Sequence, residues 1–380
     1  MSMLRMLSCC MMMFVANMAW AQRPPETLPT DRSEHIVLSY DRSSPPPDQV
    51  LLPEKTVLGY SSDSSDGYGR IYITCASNSD PSLGRCPVVD TGENGGNTST
   101  ISLQFVEQRS NLRTNVKVRG HLLRIDSTRL CSSGYWDSIE RPLWSSDVGM
   151  CEGIPPSGTG GELAVDADEM AKLVAGHWKA ELRLTLHAGV SGGGAGALYT
   201  IKYTFDLTIT DRANASIYFP LWDEASPLVG LNIAYSPVGM PTIGGHASLD
   251  MCLYDGLGSQ SPYLEVTIDD RAPPVPGRLP GMYSVWHDNG IQDAQHRLDY
   301  EITLDYGGAP VVMGNGAMRT LNGIDTAALR LVVLPGMTQP VYCVPTPLVL
   351  VTPAVPASSK AEGHYQGVLH IEMNIPTGSP

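Results

Sequence analysis

The chain has 380 residues, of which 42% are hydrophobic and 17% are charged, and its formal net charge is −14 at pH 7. This length suggests two domains, and the acidic balance argues against nucleic acid as a partner, because phosphates need a basic surface. Glycine (38) and proline (30) are abundant while phenylalanine (4) is scarce, which favours an all-β fold of short strands joined by turns.

Residues 1–21 have the pattern of a secretory signal peptide. Arg5 precedes an apolar run that ends at Val15, and residues 19–21 (Ala-Trp-Ala) form a small-x-small cleavage site. The run is too short to span a membrane, and no later stretch of about 18 apolar residues follows. We therefore expect an exported, soluble chain that begins at Gln22.

Eight cysteines are present, and two of them, Cys9 and Cys10, fall in the predicted signal peptide. An even number of the remaining cysteines in an exported chain predicts disulfides, although many pairings are possible. The spacing favours two local bridges among the first four cysteines and leaves the last two for each other: Cys75–Cys86, Cys131–Cys151 and Cys252–Cys343. Zinc binding needs paired short spacings that these cysteines lack, so no metal site is predicted.

The first half of the mature chain is predicted to consist mainly of strands. Residues 22–53 are proline-rich and extended, with brief strand character at 35–40. A short helix is predicted at 166–174, because acidic residues open this segment and Gly176 follows its end. Alternating apolar residues predict strands at 70–75, 100–108, 114–125, 178–186 and 199–209, the last two forming a long hairpin.

Two features of this half are candidates for binding. The loop between Cys131 and Cys151 carries Trp136 and Trp144, whose rings either hold a sugar by stacking or fold back onto the domain. Basic residues cluster between positions 109 and 129, where they either form a solvated strand face or bind an anionic glycan: Arg109, Arg113, Lys117, Arg119, Arg124 and Arg129.

Residues 210–214 interrupt the alternation and are predicted to separate two domains. A second series of strands follows at spacings typical of a β-sandwich, at 217–222, 231–235, 248–254, 264–268, 298–304, 329–334, 347–351 and 363–375. In the last strand the odd positions include Tyr365, Leu369, Ile371 and Met373, which predicts one buried face. Few residues follow this strand, so it either lies inside a finished sheet or borders a gap that another chain fills.

Catalysis finds little support in the sequence. The histidines include no His-x-x-x-His pair. Residues 189–193 (Gly-Val-Ser-Gly-Gly) match the letters of a nucleophile elbow, but they lie in a predicted hairpin turn, whereas an elbow needs a strand-to-helix turn. We therefore predict that the chain is not an enzyme.

Three blocks of sequence resemble a known family. They are residues 101–110 (ISLQFVEQRS), 248–256 (SLDMCLYDG) and 363–371 (GHYQGVLHI). In this order they resemble the tip adhesins of class 5 fimbriae, of the colonisation factor antigen I type, and the related cable-pilus minor subunit. The resemblance implies two immunoglobulin-like β-sandwich domains in tandem. They would be an adhesin domain over 22–211, a linker over 212–214, and an incomplete pilin domain over 215–380.

The resemblance also implies how the chain is assembled into a fibre. The N-terminal extension of a neighbouring major pilin would fill the gap in the pilin domain, after a periplasmic chaperone and an outer-membrane usher have handled the subunit. Tyr365, Leu369, Ile371 and Met373 would line the groove that receives this donor strand. The N-terminus, residues 22–29, is interrupted by prolines that remove ladder donors, so the chain would accept a strand without donating one. This predicts a position at the fimbrial tip, on the bacterial cell surface, with no cofactor.

Receptor binding is the remaining expectation. Members of the family carry an arginine cluster on the outer end of the adhesin domain, and Arg70 falls on one of those arginines. Ala188 and Gly189 stand where the other two fall. We expect Arg70 and His187, together with Trp136 and Trp144, to contribute to binding a host-cell receptor, a glycan by resemblance. The alternative is a minor pilin that only initiates assembly.

Overall fold

The chain folds into strands over most of its length. The computed structural model describes residues 23–96, 98–130, 134–149, 151–189, 196–222, 224–273 and 275–376, so the predicted signal peptide lies outside the described residues. Within these ranges there are 22 strands and one short α-helix, α1 (Ala167–Met170). No helix in the described part of the chain is long and apolar enough to cross a membrane.

The strands fall into two series, one for each half of the chain. The first series is β1 (Arg32–Asp41), β2 (Gln49–Tyr60), β3 (Tyr72–Cys75), β4 (Ser99–Glu107), β5 (Arg113–Ile125), β6 (Gly158–Val165), β7 (Gly176–His187) and β8 (Ala197–Thr210). The second series begins with β9 (Ser216–Tyr218), β10 (Ala234–Ser236), β11 (Thr242–Leu249), β12 (Cys252–Tyr254), β13 (Tyr263–Asp269), β14 (Tyr283–His287) and β15 (Arg297–Tyr306). It ends with β16 (Ala309–Met313), β17 (Arg319–Asn322), β18 (Arg330–Val332), β19 (Val341–Pro345), β20 (Leu348–Pro356), β21 (Tyr365–Gln366) and β22 (His370–Asn374).

The first domain is one curled sheet around one core. Its strand order is β1-β8-β7-β4-β5-β6-β2, with β3 paired to β7. Alternate residues of β8, such as Ile201 and Phe205, share the core with Phe105 of β4 and Val118 of β5. Burial of each such side chain contributes about 1.5–3 kcal/mol. The alternation seen in the sequence therefore specifies which face of each strand turns inward.

Tyrosine hydroxyls connect β8, the strand next to the β1 edge of this sheet, with β2 at the opposite edge. The Tyr199 hydroxyl of β8 donates to the carbonyl of Leu58 at 2.7 Å, and the Tyr203 hydroxyl donates to the carbonyl of Leu51 at 3.0 Å. Both acceptors lie on β2, at the far end of the strand order. Burial raises the pKa of both phenols. These bonds satisfy β2 carbonyls that no neighbouring strand pairs, and they close the sheet on itself.

The N-terminal part of the chain is more regular than its composition suggests. Where brief strand character is predicted, β1 extends over ten residues and runs parallel to β8 along its whole length. Strand β2 is not predicted from the sequence, because Pro53 and three shifts of register interrupt its alternation. An edge strand tolerates proline, since its outer N–H needs no ladder partner.

The second domain surrounds a separate core. One sheet has the order β10-β11-β20-β15-β14-β21, with β16 beside β15, and two smaller sheets have the orders β18-β19-β12-β9 and β17-β13-β22. Met251, Leu264, Ile302 and Leu350 are among the side chains of the core that these sheets enclose. The prediction of an all-β chain built as two domains in tandem is therefore confirmed.

The two domains meet over a bonded junction. The chain passes between them through residues 212–214, a single 3-10 turn. The Asp211 N–H donates to the Gly256 carbonyl at 2.6 Å, and the Arg42 guanidinium donates to the side-chain oxygen of Gln339 at 2.9 Å. A Cβ on Gly258 would lie 2.7 Å from the Cα of Gly176. This glycine permits the two backbones to approach so closely.

Two of the predicted disulfides are present. Cys75–Cys86 joins residues 11 apart, and Cys252–Cys343 joins residues 91 apart. The third predicted pair involves Cys131, which lies outside the described residues. The long bridge connects β12 to β19 and lies in the apolar cluster that continues into the first domain.

Candidate functional site

The last strand of the chain divides between two sheets. β21 pairs with β14, and β22 pairs with β13 so that Ile371 lies opposite Ile268 and Met373 lies opposite Val266. Each half is the last strand in its sheet order, and no strand among the described residues pairs with its outer side. The expected gap-bordering strand is therefore an edge strand with a row of unpaired backbone groups.

Its apolar side chains lie against the second core. Leu369, Ile371, Met373 and Ile375 are partly buried there, whereas Val368 is 79% exposed. A partly buried apolar row beside an open edge is the surface that an added strand would cover.

Tyr365, which the alternation groups with this row, is placed differently. Its ring lies edge-on to the ring of His287, with centroids 5.2 Å apart. Its hydroxyl donates to the carbonyl of Ala361 at 2.8 Å. Tyr365 therefore anchors the start of the terminal segment at β14 instead of joining the apolar row of β22.

The opposite border of the second core lies where the sequence predicts a strand at 231–235, of which the structure forms only β10 (Ala234–Ser236). β10 is the other end of the larger strand order, and the segment before it places Val229 and Leu231 against the same core as Ile371. Leu228 in this segment is 87% exposed and Ile233 is 40% exposed. The first and last segments of the domain thus flank one core. Residues 228–233 form no regular strand, so their alternation alone does not reveal this wall.

The other candidate site lies at the end of the first domain that faces away from the junction. β7 leaves the junction at Gly176 and ends at His187, a length of roughly 36 Å. The Gly189 N–H donates to the carbonyl of Arg70 at 3.2 Å. A Cβ on Gly189 would lie 3.4 Å from the Cβ of Ser146. The folded chain therefore brings Arg70, His187 and the loop that carries Trp144 to one outer end.

The Arg70 guanidinium is half-buried and forms no hydrogen bond or ion pair with the described residues. His187 is less available, because its ring stacks on Tyr72 with centroids 4.9 Å apart and lies 3.0 Å from the Thr74 hydroxyl. Burial lowers the pKa of His187, so the ring is neutral at pH 7. Arg70 is thus a cation free to meet an anionic group, and His187 supports the surface beside it.

Positions 188 and 189 have no room for long side chains. Ala188 is buried, and a Cβ on Gly189 would lie only 2.8 Å from the Arg70 Cβ and 3.0 Å from the Arg70 carbonyl oxygen. A larger residue at 189 would displace Arg70. The outer end therefore presents Arg70 without the arginine neighbours that the resemblance implies.

The two tryptophans are half-buried rather than projecting. Trp136 packs against β6, so that a Cβ on Gly160 would lie 2.4 Å from its ring. Trp144 packs against the first core, and its carbonyl accepts a hydrogen bond from the Thr91 N–H at 3.0 Å. Of the two interpretations of these rings, folding back onto the domain describes their packing, and each keeps part of its ring at the surface.

Asp90 belongs to this end, and no motif distinguishes it in the sequence. Its carboxylate accepts hydrogen bonds from the Ser146 N–H at 3.0 Å and from the Ser146 hydroxyl. Burial raises the pKa of Asp90, but these hydrogen bonds outweigh that effect and lower it overall. Asp90 is therefore an anion that fixes the Trp144 loop.

The basic cluster does not form one solvated face. Arg109 reaches the second domain and donates to the carbonyls of Ile324 and Ala327. Arg119 pairs with Glu162 at 2.6 Å and with Asp166 at 2.5 Å. Arg124 is fully buried. The solvated-face interpretation is wrong for Arg109 and Arg124, which neighbouring elements cover, whereas it agrees with the exposure of other members of the cluster: Arg113, Lys117 and Arg129. Glycan binding by these exposed residues stays a prediction.

The described residues contain no group of three or more histidine, cysteine, aspartate or glutamate side chains arranged to hold a metal ion. The predicted hairpin turn at 189–193 lies largely outside the described residues.

Comparison with known proteins identifies the class. Residues 17–212 match the family model for the first domain of CfaE, a subunit of CFA/I fimbriae, and residues 215–377 match the model for its second domain. These matches cover both β domains of the chain. They define a class of fimbrial proteins whose members have structural and binding roles and are not enzymes. The chain belongs to the CfaE family of CFA/I fimbrial subunits.

Similar proteins agree with this placement. The CFA/I fimbrial protein CfaE of Escherichia coli is 28% identical over 312 residues, which cover 80% of each chain. The crystal structure of CfaE, the adhesive subunit of CFA/I fimbria of enterotoxigenic Escherichia coli, has a TM-score of 0.65 at 22% identity and is covered over 95% of its chain, against 94% of this one. A chaperone–tip adhesin complex of CFA/I fimbriae gives a TM-score of 0.61 at 23% identity, with 94% of this chain and 99% of that chain covered. At these identities the solved structures establish the fold.

Proposed function

We propose that this chain is the tip adhesin and assembly initiator of a chaperone–usher fimbrium. The observation that carries the proposal is the open edge of β22, with its partly buried row of Leu369, Ile371 and Met373. An N-terminal strand of the next pilin would pair with this edge and cover the row. Val229 and Leu231 would form the opposite wall of the same groove.

The N-terminal strand supports a position at the end of the fibre. β1 is paired along its full length with β8 of its own domain, and Ile36, Leu38 and Tyr40 pack on the first core. A strand held in this way is not free to be donated to another subunit. The chain therefore accepts a strand at one domain and keeps its own in the other.

The direction of the groove agrees with this role. β22 runs toward the first domain, because its last residue, Asn374, pairs with Glu265 near the start of β13. This start faces the first domain, since Gln260 just before it donates to the Glu107 carboxylate at 3.1 Å. An N-terminal extension that enters from the far end of the second domain would place its free terminus toward the junction. It would then run antiparallel to β22, which is the better hydrogen-bonded arrangement.

The partners follow from the same edge. Before assembly, a periplasmic chaperone would cover the apolar row, and an outer-membrane usher would receive the complex. The relative described as a chaperone–tip adhesin complex supports the first of these steps. The finished subunit would lie at the fimbrial tip outside the bacterial cell.

The outer end would bind a host-cell receptor through Arg70, with His187, Trp136 and Trp144 as the surrounding surface. Arg70 supports this role because its guanidinium has no partner among the described residues. An anionic group, such as a sialic acid carboxylate, would satisfy it. The competing proposal is an initiator whose outer domain has no receptor.

The binding proposal is tested with residues 22–380 stabilised by a peptide that copies the N-terminal strand of the major pilin. We expect the complex to bind mammalian erythrocytes or a mammalian glycan array, and Arg70→Ala to weaken binding by roughly tenfold or more, because a charge-assisted hydrogen bond is lost. Lys179→Ala removes an exposed cation near the junction and should leave binding unchanged. If the wild-type complex binds neither probe, the initiator-only proposal is favoured.

A further inference from the structure

The buried Arg124 occupies an unusual place near the outer end of the first domain. Its side chain is 0% exposed at the end of β5. The Nε donates to the carbonyl of Asp147 at 3.0 Å, and Nη2 donates to the carbonyl of Ser145 at 2.7 Å. Nη1 donates to the carbonyl of Ile71 at 2.7 Å and to the Thr159 hydroxyl at 2.8 Å. The acceptors of this guanidinium are backbone and hydroxyl oxygens.

The charge of this side chain is not matched by a carboxylate in direct contact. Burial, and then the nearby positive charge of Arg141, lower the pKa of Arg124 to about 9, and Asp137 and Asp147 partly offset this effect. The group is therefore charged at neutral pH although it is fully buried. A buried ion is often no more stabilising than an apolar side chain of the same volume. The planar guanidinium does, however, fix the positions of the carbonyl oxygens that accept its hydrogen bonds.

Those carbonyls belong to the segments that carry the candidate receptor residues. Ile71 follows Arg70, and Ser145 follows Trp144. The backbone of Arg124 also exchanges hydrogen bonds with Asp137, which follows Trp136: its N–H donates to the Asp137 carboxylate at 2.8 Å, and its carbonyl accepts from the Asp137 N–H at 3.0 Å. One residue thus contacts three segments that are distant in the sequence.

The Thr159 hydroxyl extends this arrangement by one further bond. It accepts from Arg124 and donates to the carbonyl of Tyr68 at 2.7 Å, so that both ends of the turn containing Arg70 are held. We propose that Arg124 is the positioning residue of the outer end, where its guanidinium sets the relative placement of the segments that carry Arg70 and Trp144, while its backbone holds the segment of Trp136. This inference rests on the proposed function, because it assigns that surface to receptor binding.

The test compares Arg124→Met and Arg124→Lys with Arg119→Met, which removes an ion-paired arginine from the same strand. All three are prepared as residues 22–380 with the donor peptide bound, and amide hydrogen exchange is measured by mass spectrometry. We expect exchange in residues 66–72 and 143–149 to rise roughly tenfold or more in Arg124→Met, since several bonds to a charged donor are lost. Exchange in β8 and in the second domain should be unchanged. Arg124→Lys should show a smaller rise, and Arg119→Met none in these two segments.

Binding to mammalian erythrocytes gives the second readout. We expect Arg124→Met to bind roughly tenfold more weakly or worse, Arg124→Lys to recover part of the loss, and Arg119→Met to bind like the wild type.

Unchanged exchange in both segments in Arg124→Met would overturn the proposal, as would full binding despite increased exchange. If the wild type binds no erythrocytes, the receptor function itself fails, and the exchange result alone decides whether Arg124 positions the segments. If Arg124→Met does not fold, the Lys variant and its exchange pattern decide the question.

Discussion

Single residues determine which side chains are exposed at the outer end of the first domain. Gly189 approaches Arg70 so closely that a Cβ would lie 2.8 Å from the Arg70 Cβ, and this closeness excludes a cationic side chain at 189. Arg124, next to the last residue of β5, turns inward to meet carbonyls. Neither fact follows from a pattern of residue types, because each depends on which loops meet after folding.

His187 gives a pH-dependent prediction at the same scale. Burial lowers its pKa in the folded chain below the usual value of about 6.5. The unfolded chain therefore takes up a proton more readily than the folded chain as the pH falls. The stabilisation from neutral His187 is complete above about pH 7 and is lost as the pH falls through its folded pKa.

We expect His187→Phe, which keeps a ring beside Tyr72, to remove this part of the pH dependence. Thermal unfolding between pH 7.5 and 5 should show a wild-type melting temperature that falls more steeply than that of the variant. His35→Phe, on the exposed face of β1, serves as the control and should change the slope little. Parallel slopes for the wild type and His187→Phe would contradict the proposed environment of His187.

At the scale of elements, β1 and β22 are the two strands that define the role of the chain. β1 completes the first domain from within, whereas β22 leaves an edge uncovered. The alternation at 363–375 predicts β22 because its apolar residues recur at every second position. The same reasoning does not separate Tyr365 from that row, because the change of partner from β14 to β13 is a tertiary event.

Neighbouring residues of the terminal segment offer a matched pair of substitutions. Leu369 is partly buried against the second core, and Val368 is 79% exposed. Leu369→Asp would place a charge in the apolar row, at a cost of about 2 kcal/mol or more. We expect co-purification with the periplasmic chaperone to fall by more than roughly tenfold.

Val368→Asp adds the same charge one residue earlier and should leave chaperone capture nearly unchanged. Equal capture of the two variants would mean that Leu369 does not face the partner strand.

At the scale of the whole molecule, the two domains differ in how the edge strands of their sheets are paired. A curled sheet has two ends whose backbone groups need partners. In the first domain the tyrosine hydroxyls of β8 and the parallel strand β1 close the sheet within the chain. In the second domain β10 and β22 end two different sheets, the segment before β10 and the side chains of β22 both pack on one core, and no strand among the described residues pairs with the outer side of either.

Sequence reasoning could reach the domain count, the strand-rich fold and two disulfides, because composition, alternation and cysteine spacing act locally. It could not reach the packing of Trp136 on Gly160 or the contact of Arg109 with Ala327. These contacts join segments that are far apart in the chain. The sequence predicts a strand at 231–235, but it does not show that Val229 and Leu231 border the second core, because residues 228–233 have no regular strand pairing.

The central claim is that the second domain is completed by a strand from another subunit. The most direct measurement is the mass and thermal stability of residues 22–380, alone and with a peptide that copies the N-terminal strand of the major pilin. We predict aggregation of the chain alone, and a one-to-one monomeric complex with the peptide. At about a thousandfold excess over Kd, the peptide should raise the free energy of unfolding by about 4 kcal/mol. A chain that is monomeric alone and unchanged in stability by the peptide would contradict the account.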